Sequence, residues 1–70
     1  MTLKELRARK LITQLDLSLL TNISQTKLSL IERGYLKPNS NELLRLAKVF
    51  QVHPETMQFI ERRDMRSVFE

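Results

Sequence analysis

The stretch 13–34 constrains this chain more than any other part of its sequence. Apolar residues recur along it at helical spacing, and a short break divides them into two runs. Thr13 can cap the first run with Asp16 three residues later, and Ser24 can cap the second run. Gly34 is a natural stop for the second run. Two short helices joined by a tight turn make a helix-turn-helix, whose second helix can enter the major groove of DNA.

Strand-like alternation is not sustained anywhere in the chain, so we predict an all-α protein. Capping residues and apolar periodicity predict helices at 3–10, 14–21, 25–33, 40–50 and from Pro54 onward. We expect one domain at 1–57, with the helix-turn-helix at about 13–33 and a C-terminal helix extension or tail at 58–70.

Composition narrows the classes of function. A net charge of +4 and a pI near 10.0 suit an anionic partner. The chain has no cysteine, one histidine, one glycine and no phosphate-binding loop, so few of its residues are of the kinds that form catalytic sites. We therefore expect no enzymatic activity, no cofactor and no metal site. No apolar run approaches the ~20 residues of a membrane span, and no membrane partner is expected.

Motifs spread over most of the chain resemble the lambda-repressor-like (Cro/CI, or XRE-type) helix-turn-helix family. They are Thr13-Gln14, Leu17, Ile23-Ser24-Gln25, Ser29, Ile31-Glu32-Arg33-Gly34, Lys37-Pro38, 43–48 and Val52. The resemblance covers about 3–57 and implies a compact bundle of five short helices that binds double-stranded DNA, usually as a homodimer. It also implies a cytoplasmic regulator of bacterial, phage or plasmid type. We expect a sequence-specific transcriptional regulator of repressor type on a palindromic operator.

The third helix is the candidate reader of DNA bases. Leu28 and Ile31 are its inward pair. The candidate base-reading residues, which face outward or sideways, are Gln25, Thr26, Lys27, Ser29 and Leu30. Glutamine can bond bidentately to adenine, and threonine and leucine can touch a thymine methyl. The lysine lies in the first turn, where a cation opposes the helix dipole, and a nearby phosphate or guanine would remove that conflict. The alternative is an ordinary solvent-exposed helix surface.

Phosphate contacts are expected at the start of the second helix and in the loop after the third, which the family places along the DNA backbone. The candidates are Gln14, Arg7, Ser24, Arg33, Tyr35, Lys37 and Asn39. In the family, an arginine at the position of Arg7 pairs with a glutamate at the position of Glu32. The resemblance thus implies a structural ion pair that ties the first helix to the end of the third.

Three of the departures from the family pattern bear on the turns and the core. Leu11 and Asn22 stand where the family often has glycine, so each must take a turn conformation despite its side chain. Thr21 stands where the family prefers leucine, and we expect Leu20 to have exchanged roles with it.

Two groups of apolar residues raise the question of partners. Leu15 and Leu19, four apart on one helix face, are either a partner-binding face or two isolated surface leucines. A partner face would suit the alternative function, an antitoxin-like or adaptor protein-interaction module on the same fold. The second group either forms a dimer contact or closes the monomer core, and it comprises Met57, Phe59, Ile60 and Met65.

Overall fold

Four α-helices and one short 3₁₀-helix make up the part of the chain that the computed structural model describes, residues 1–59. The helices are α1 (Leu3–Lys10), α2 (Gln14–Thr21), α3 (Gln25–Glu32), α4 (Ser40–Phe50) and the 3₁₀-helix (Pro54–Thr56). Within these residues no strand forms, and the one extended contact is an isolated bridge between Thr2 and Gln58. The all-α prediction is confirmed.

The prediction of a fifth helix from Pro54 onward needs correction, because this segment forms only one turn of 3₁₀-helix. Pro54 starts it at a position that proline tolerates. Met57 then takes an extended backbone, with φ −79° and ψ 133°, and its side chain enters the core. The burial of Met57 therefore ends the helix after a single turn.

The helix starts follow from local capping chemistry. Reciprocal capping boxes open α1, α2 and α4, and they pair Thr2 with Glu5, Thr13 with Asp16, and Asn39 with Glu42. Ser24 caps α3 alone, since its Oγ accepts the N–H of Lys27 at 3.1 Å. These four caps satisfy backbone N–H groups that the first turn of a helix leaves without a partner.

The turns use the left-handed backbone region at four residues. Leu11, Asn22 and Gln51 have φ values of 57°, 58° and 55°, and Gly34 has 88°. Leu11 and Asn22 therefore do what the family's glycines do. For the leucine this conformation carries a steric penalty of roughly 1–2 kcal/mol, because its Cβ crowds the following carbonyl.

The core sits where α2 packs against α3 and α4, with α1 and the 3₁₀ turn closing it. Its buried apolar residues are Leu3, Leu6, Leu17, Ile23, Leu28, Ile31, Leu46, Ala47, Phe50 and Met57. The expected exchange between Leu20 and Thr21 is wrong, because Thr21 is buried and Leu20 is exposed. Burial of the threonine is tolerated since its Oγ1 donates to the Leu17 carbonyl at 2.7 Å.

After the core, the last described residues of the chain lie beside its first residues. The backbone N–H of Gln58 donates to the carbonyl of Met1 at 2.9 Å, and Phe59 packs half-buried against the core. Met57 is only 7% exposed, so it closes the monomer core and leaves almost no surface for a dimer contact. Ile60 and Met65, the other two candidates for that contact, lie outside the described residues.

Candidate nucleic-acid interface

The turn between α2 and α3 is held by side-chain hydrogen bonds at both of its flanks. The hydroxyl of Ser18 donates to the carbonyl of Ile23 at 2.6 Å. Arg45 of α4 donates from Nη1 to the carbonyl of Thr21 at 2.9 Å and so caps the end of α2. These bonds help to fix how α3 leaves the turn, because they satisfy two carbonyls of the turn with side-chain donors from α2 and α4.

A cleft of about 390 Å³ opens between the start of α2 and the outer face of α3. Its lining residues are Gln14, Gln25, Thr26, Ser29, Leu30 and Arg33. Four of the five candidate base-reading residues thus line one surface, together with two candidate phosphate contacts. The structure gathers polar donors and acceptors, one leucine and one arginine on one surface, and these are the kinds of side chain that can read base edges in a major groove.

The end of α3 is fastened to α1 by a bidentate ion pair. Arg7 donates from Nε to Glu32 Oε2 at 2.6 Å and from Nη2 to Oε1 at 3.0 Å. Its third nitrogen, Nη1, donates to the carbonyl of Ile12 at 3.1 Å. The Arg7 and Glu32 side chains are 16% and 5% exposed, and their hydrogen bonds raise the pKa of Arg7 above its ordinary value. With all three nitrogens engaged, this arginine has a structural role first.

Gln14 belongs to the same network. Its amide nitrogen donates to Glu32 Oε1 at 3.1 Å, and it is the first residue of α2. One glutamate therefore orients both the arginine behind the cleft and the glutamine that lines it. This orientation leaves the Gln14 side chain fixed beside the N-terminus of a helix, where an anion is favoured.

Lys27 is the candidate base reader that does not line the cleft. Its ammonium lies 2.7 Å from Oε2 of Glu42, on α4. The Lys27 ammonium, with a smaller contribution from the Asn39 backbone N–H, lowers the pKa of the Glu42 carboxyl. A carboxylate therefore offsets the cation in the first turn of α3.

The loop after α3 carries most of the remaining phosphate candidates. The guanidinium carbon of Arg33 lies 5.9 Å from the centroid of the Tyr35 ring, within the range of a cation–π contact. The backbone N–H of Tyr35 donates to the Leu30 carbonyl at 2.9 Å, and Lys37 is exposed. Asn39 uses its Oδ1 to accept the N–H of Glu42 at 2.8 Å, so its oxygen serves as a helix cap.

Comparison with known families settles what kind of protein this is. A helix-turn-helix family model, of the XRE or Cro/CI type, matches residues 3–57. The chain belongs to this helix-turn-helix family. This helix-turn-helix protein is accordingly a DNA-binding regulator of XRE type, and DNA is its partner. No curated protein and no solved structure gives a match.

Two structural findings bear on other kinds of partner. Over the described part of the chain, the helices are too short and too polar to cross a membrane. Leu15 and Leu19 are both exposed on α2, on the side away from buried Leu17. Leu11, at the end of α1, is exposed as well.

Sequence reasoning missed three contacts that hold the interface. It did not pair Lys27 with Glu42, Gln14 with Glu32, or Arg45 with the Thr21 carbonyl. A weak signal existed for the first pair, because a lysine in the first turn of a helix needs a nearby anion. The capping box of α4 gives no signal for this pair, because it uses one carboxylate oxygen of Glu42 and leaves the other to Lys27.

Proposed function

We propose that this helix-turn-helix protein is a cytoplasmic, sequence-specific repressor that binds a palindromic operator as a homodimer, with α3 in the major groove. The observation that carries the proposal is the cleft, since one surface holds Gln25, Thr26, Ser29 and Leu30 along the exposed side of α3. Glutamine can read adenine bidentately, the two hydroxyls can donate or accept at a base edge, and leucine can pack on a thymine methyl.

Phosphate contacts flank this reading surface in the proposal. Gln14, oriented by Glu32, and the free N–H groups at the start of α2 meet the backbone on one side. Arg33, at the other end of α3, and Lys37, in the following loop, meet it on the other. Tyr35, Ser24 and Asn39 are secondary candidates, and Arg7 acts through Glu32.

Dimerisation follows from the symmetry that a palindromic operator demands. Two copies would present their α3 helices to half-sites about one helical turn, ~34 Å, apart. Phe59, half-buried beside a cavity of about 80 Å³, is the described residue that we propose at the dimer contact, together with Ile60 and Met65.

The test is selection of bound duplexes from a randomised pool at two salt concentrations, followed by anisotropy titration of the enriched sequence. Enrichment of a short palindrome, bound at two protein chains per duplex in analytical ultracentrifugation, is the expected result. Placing that palindrome over a promoter should lower reporter expression. Recovery of an unenriched pool, or of a single asymmetric half-site, contradicts the proposal.

A second candidate function rests on the exposed leucines. Leu15 and Leu19 could hold a protein partner, as in an antitoxin-like or adaptor module, while the cleft on α3 stays open. The double variant Leu15→Lys with Leu19→Lys should then lose a co-purified partner and keep its DNA affinity. Leu44→Lys, at another exposed leucine on α4, is the matched control. Loss of DNA affinity in the double variant would place the leucines in the regulator's own function.

A further inference from the structure

The first turn of α3 and the start of α4 share one carboxylate. Glu42 Oε2 lies 2.7 Å from the ammonium of Lys27, and its Oε1 accepts the backbone N–H of Asn39 at 2.9 Å. The glutamate side chain is 11% exposed, while that of the lysine is 36% exposed. One buried anion therefore joins the recognition helix to the loop that precedes α4.

This pairing removes a charge from the edge of the reading surface. An unpaired lysine in the first turn of α3 would sit beside the cleft and would attract any phosphate within reach, whatever the sequence. Moving Lys27 from Glu42 to a phosphate would leave the glutamate carboxylate unpaired at a site where water hydrates it poorly.

We propose that Glu42 is a positioning residue that keeps Lys27 paired when the protein is on DNA, so that Lys27 contributes neither a base contact nor a phosphate contact. The inference rests on the proposed reading of DNA by the cleft face of α3. Its consequence is a lower affinity for all sequences: withholding one cation from the interface weakens binding to every duplex equally, and discrimination between sequences is left to the cleft residues.

The test is the salt dependence of binding to a random duplex between about 50 and 200 mM salt. Four proteins are compared, namely the parent, Glu42→Gln, Lys27→Met and the double variant. Glutamine at this position keeps the capping box, because its amide oxygen still accepts the Asn39 N–H. Glu5→Gln is the matched control, since it removes the same charge from the same cap position of α1.

Freeing Lys27 in Glu42→Gln should add about one phosphate contact. The slope of log affinity against log salt then steepens by about 0.9, so affinity falls about three-fold more than that of the parent over this range. Lys27→Met and the double variant should keep the parent's slope, and so should Glu5→Gln.

Two results overturn the proposal. One is a Glu42→Gln slope equal to that of the parent, and the other is a double variant flatter than the parent by about 0.9, which would mean that Lys27 already contacts phosphate. Circular dichroism checks that each variant is helical. If Glu42→Gln does not fold, Lys27→Met decides alone: an unchanged slope supports the proposal, and a flatter slope overturns it.

The same titrations keep this proposal separate from the proposed function. Gln25→Ala, measured on the selected operator and on random duplex, tests base reading by the cleft. If that variant loses affinity equally on both duplexes, base reading by Gln25 fails, while the order of the four slopes still decides what Glu42 does. If Gln25→Ala loses affinity mainly on the selected operator but the four proteins have equal salt slopes, base reading by Gln25 stands and the proposed role of Glu42 is wrong.

Discussion

The two ends of α3 are held by ion pairs of different kinds. At the C-terminal end, Glu32 is 5% exposed and accepts three N–H groups, two from Arg7 and one from Gln14. At the N-terminal end, Lys27 meets Glu42 through a single contact and remains 36% exposed. Burial and the number of hydrogen bonds differ, so the first pair fixes the fold, while we propose that the second adjusts the charge that the helix shows to DNA.

The largest expected effect is on stability at the C-terminal end. Arg7→Met leaves the Glu32 carboxylate buried without its main partner, so the free energy of unfolding should fall by about 3 kcal/mol in urea denaturation. Lys27→Met is the contrasting variant and should lose at most about 1 kcal/mol, because the lysine is 36% exposed and the Glu42 carboxylate keeps its hydrogen bond from the Asn39 N–H. Equal losses at the two ends would remove the distinction between them.

The second largest expected effect is a loss of DNA-binding free energy when a base-reading residue is removed. Gln25 lies in the first turn of α3 beside Lys27 but lines the cleft, which Lys27 does not. Gln25→Ala should cost ~1–3 kcal/mol of binding free energy on the selected operator and much less on random duplex. Anisotropy titration of both duplexes measures the difference. A similar loss on each would show that Gln25 acts through the backbone.

A smaller effect is expected from a second lysine. Lys37 is exposed in the loop that follows α3, where we propose a phosphate contact. Lys37→Ala should flatten the salt slope by about 0.9 on every sequence, whereas Lys27→Met should leave it unchanged. Lys48→Ala, at an exposed lysine in the last turn of α4, controls for net charge. If the Lys37 and Lys48 variants behave alike, the effect of Lys37 is one of total charge.

The smallest effect is on acid stability. Lys27 and the Asn39 N–H lower the pKa of Glu42 in the folded protein, whereas in the unfolded chain it has the ordinary value of about 4.3. The stabilisation is therefore complete above that value and is lost as the pH falls through the lower, folded pKa. Lys27→Met removes the main cause of the shift. Its stability should fall less than the parent's between about pH 6 and about pH 3, by about 0.5 kcal/mol.

The measurement is urea denaturation at a series of pH values. Glu5 and Asp16 also have lowered pKa values through their own capping boxes, and both proteins keep those contributions. The difference between the two curves therefore isolates Glu42. Parallel curves would mean that the cap alone, and not the ion pair, lowers its pKa.

Much of the fold was predictable because its signals are local. Thr13 and Ser24 each cap the helix that the sequence assigned to them. The 3₁₀ turn at Pro54–Thr56 was not predictable in this way. A proline at a permitted first position predicts the start of a helix, but the length of this helix depends on the burial of Met57, which follows it.

The candidate site, like the fold, was predictable only in part. Outward placement of Gln25, Thr26, Ser29 and Leu30 followed from the inward placement of Leu28 and Ile31, because a helix has only one periodicity. The partner of Lys27 did not follow, since the periodicity of α3 carries no information about which side chain of α4 packs beside it.

By itself, the sequence determined the boundaries of the four α-helices to within one residue, their caps, the turn between α2 and α3, and the family to which the chain belongs. Only the tertiary structure decided that Lys27 pairs with Glu42 and which of Leu20 and Thr21 enters the core. Capping and periodicity act within one or two turns of chain, whereas Lys27 meets Glu42 only after α3 and α4 have packed against the rest of the fold.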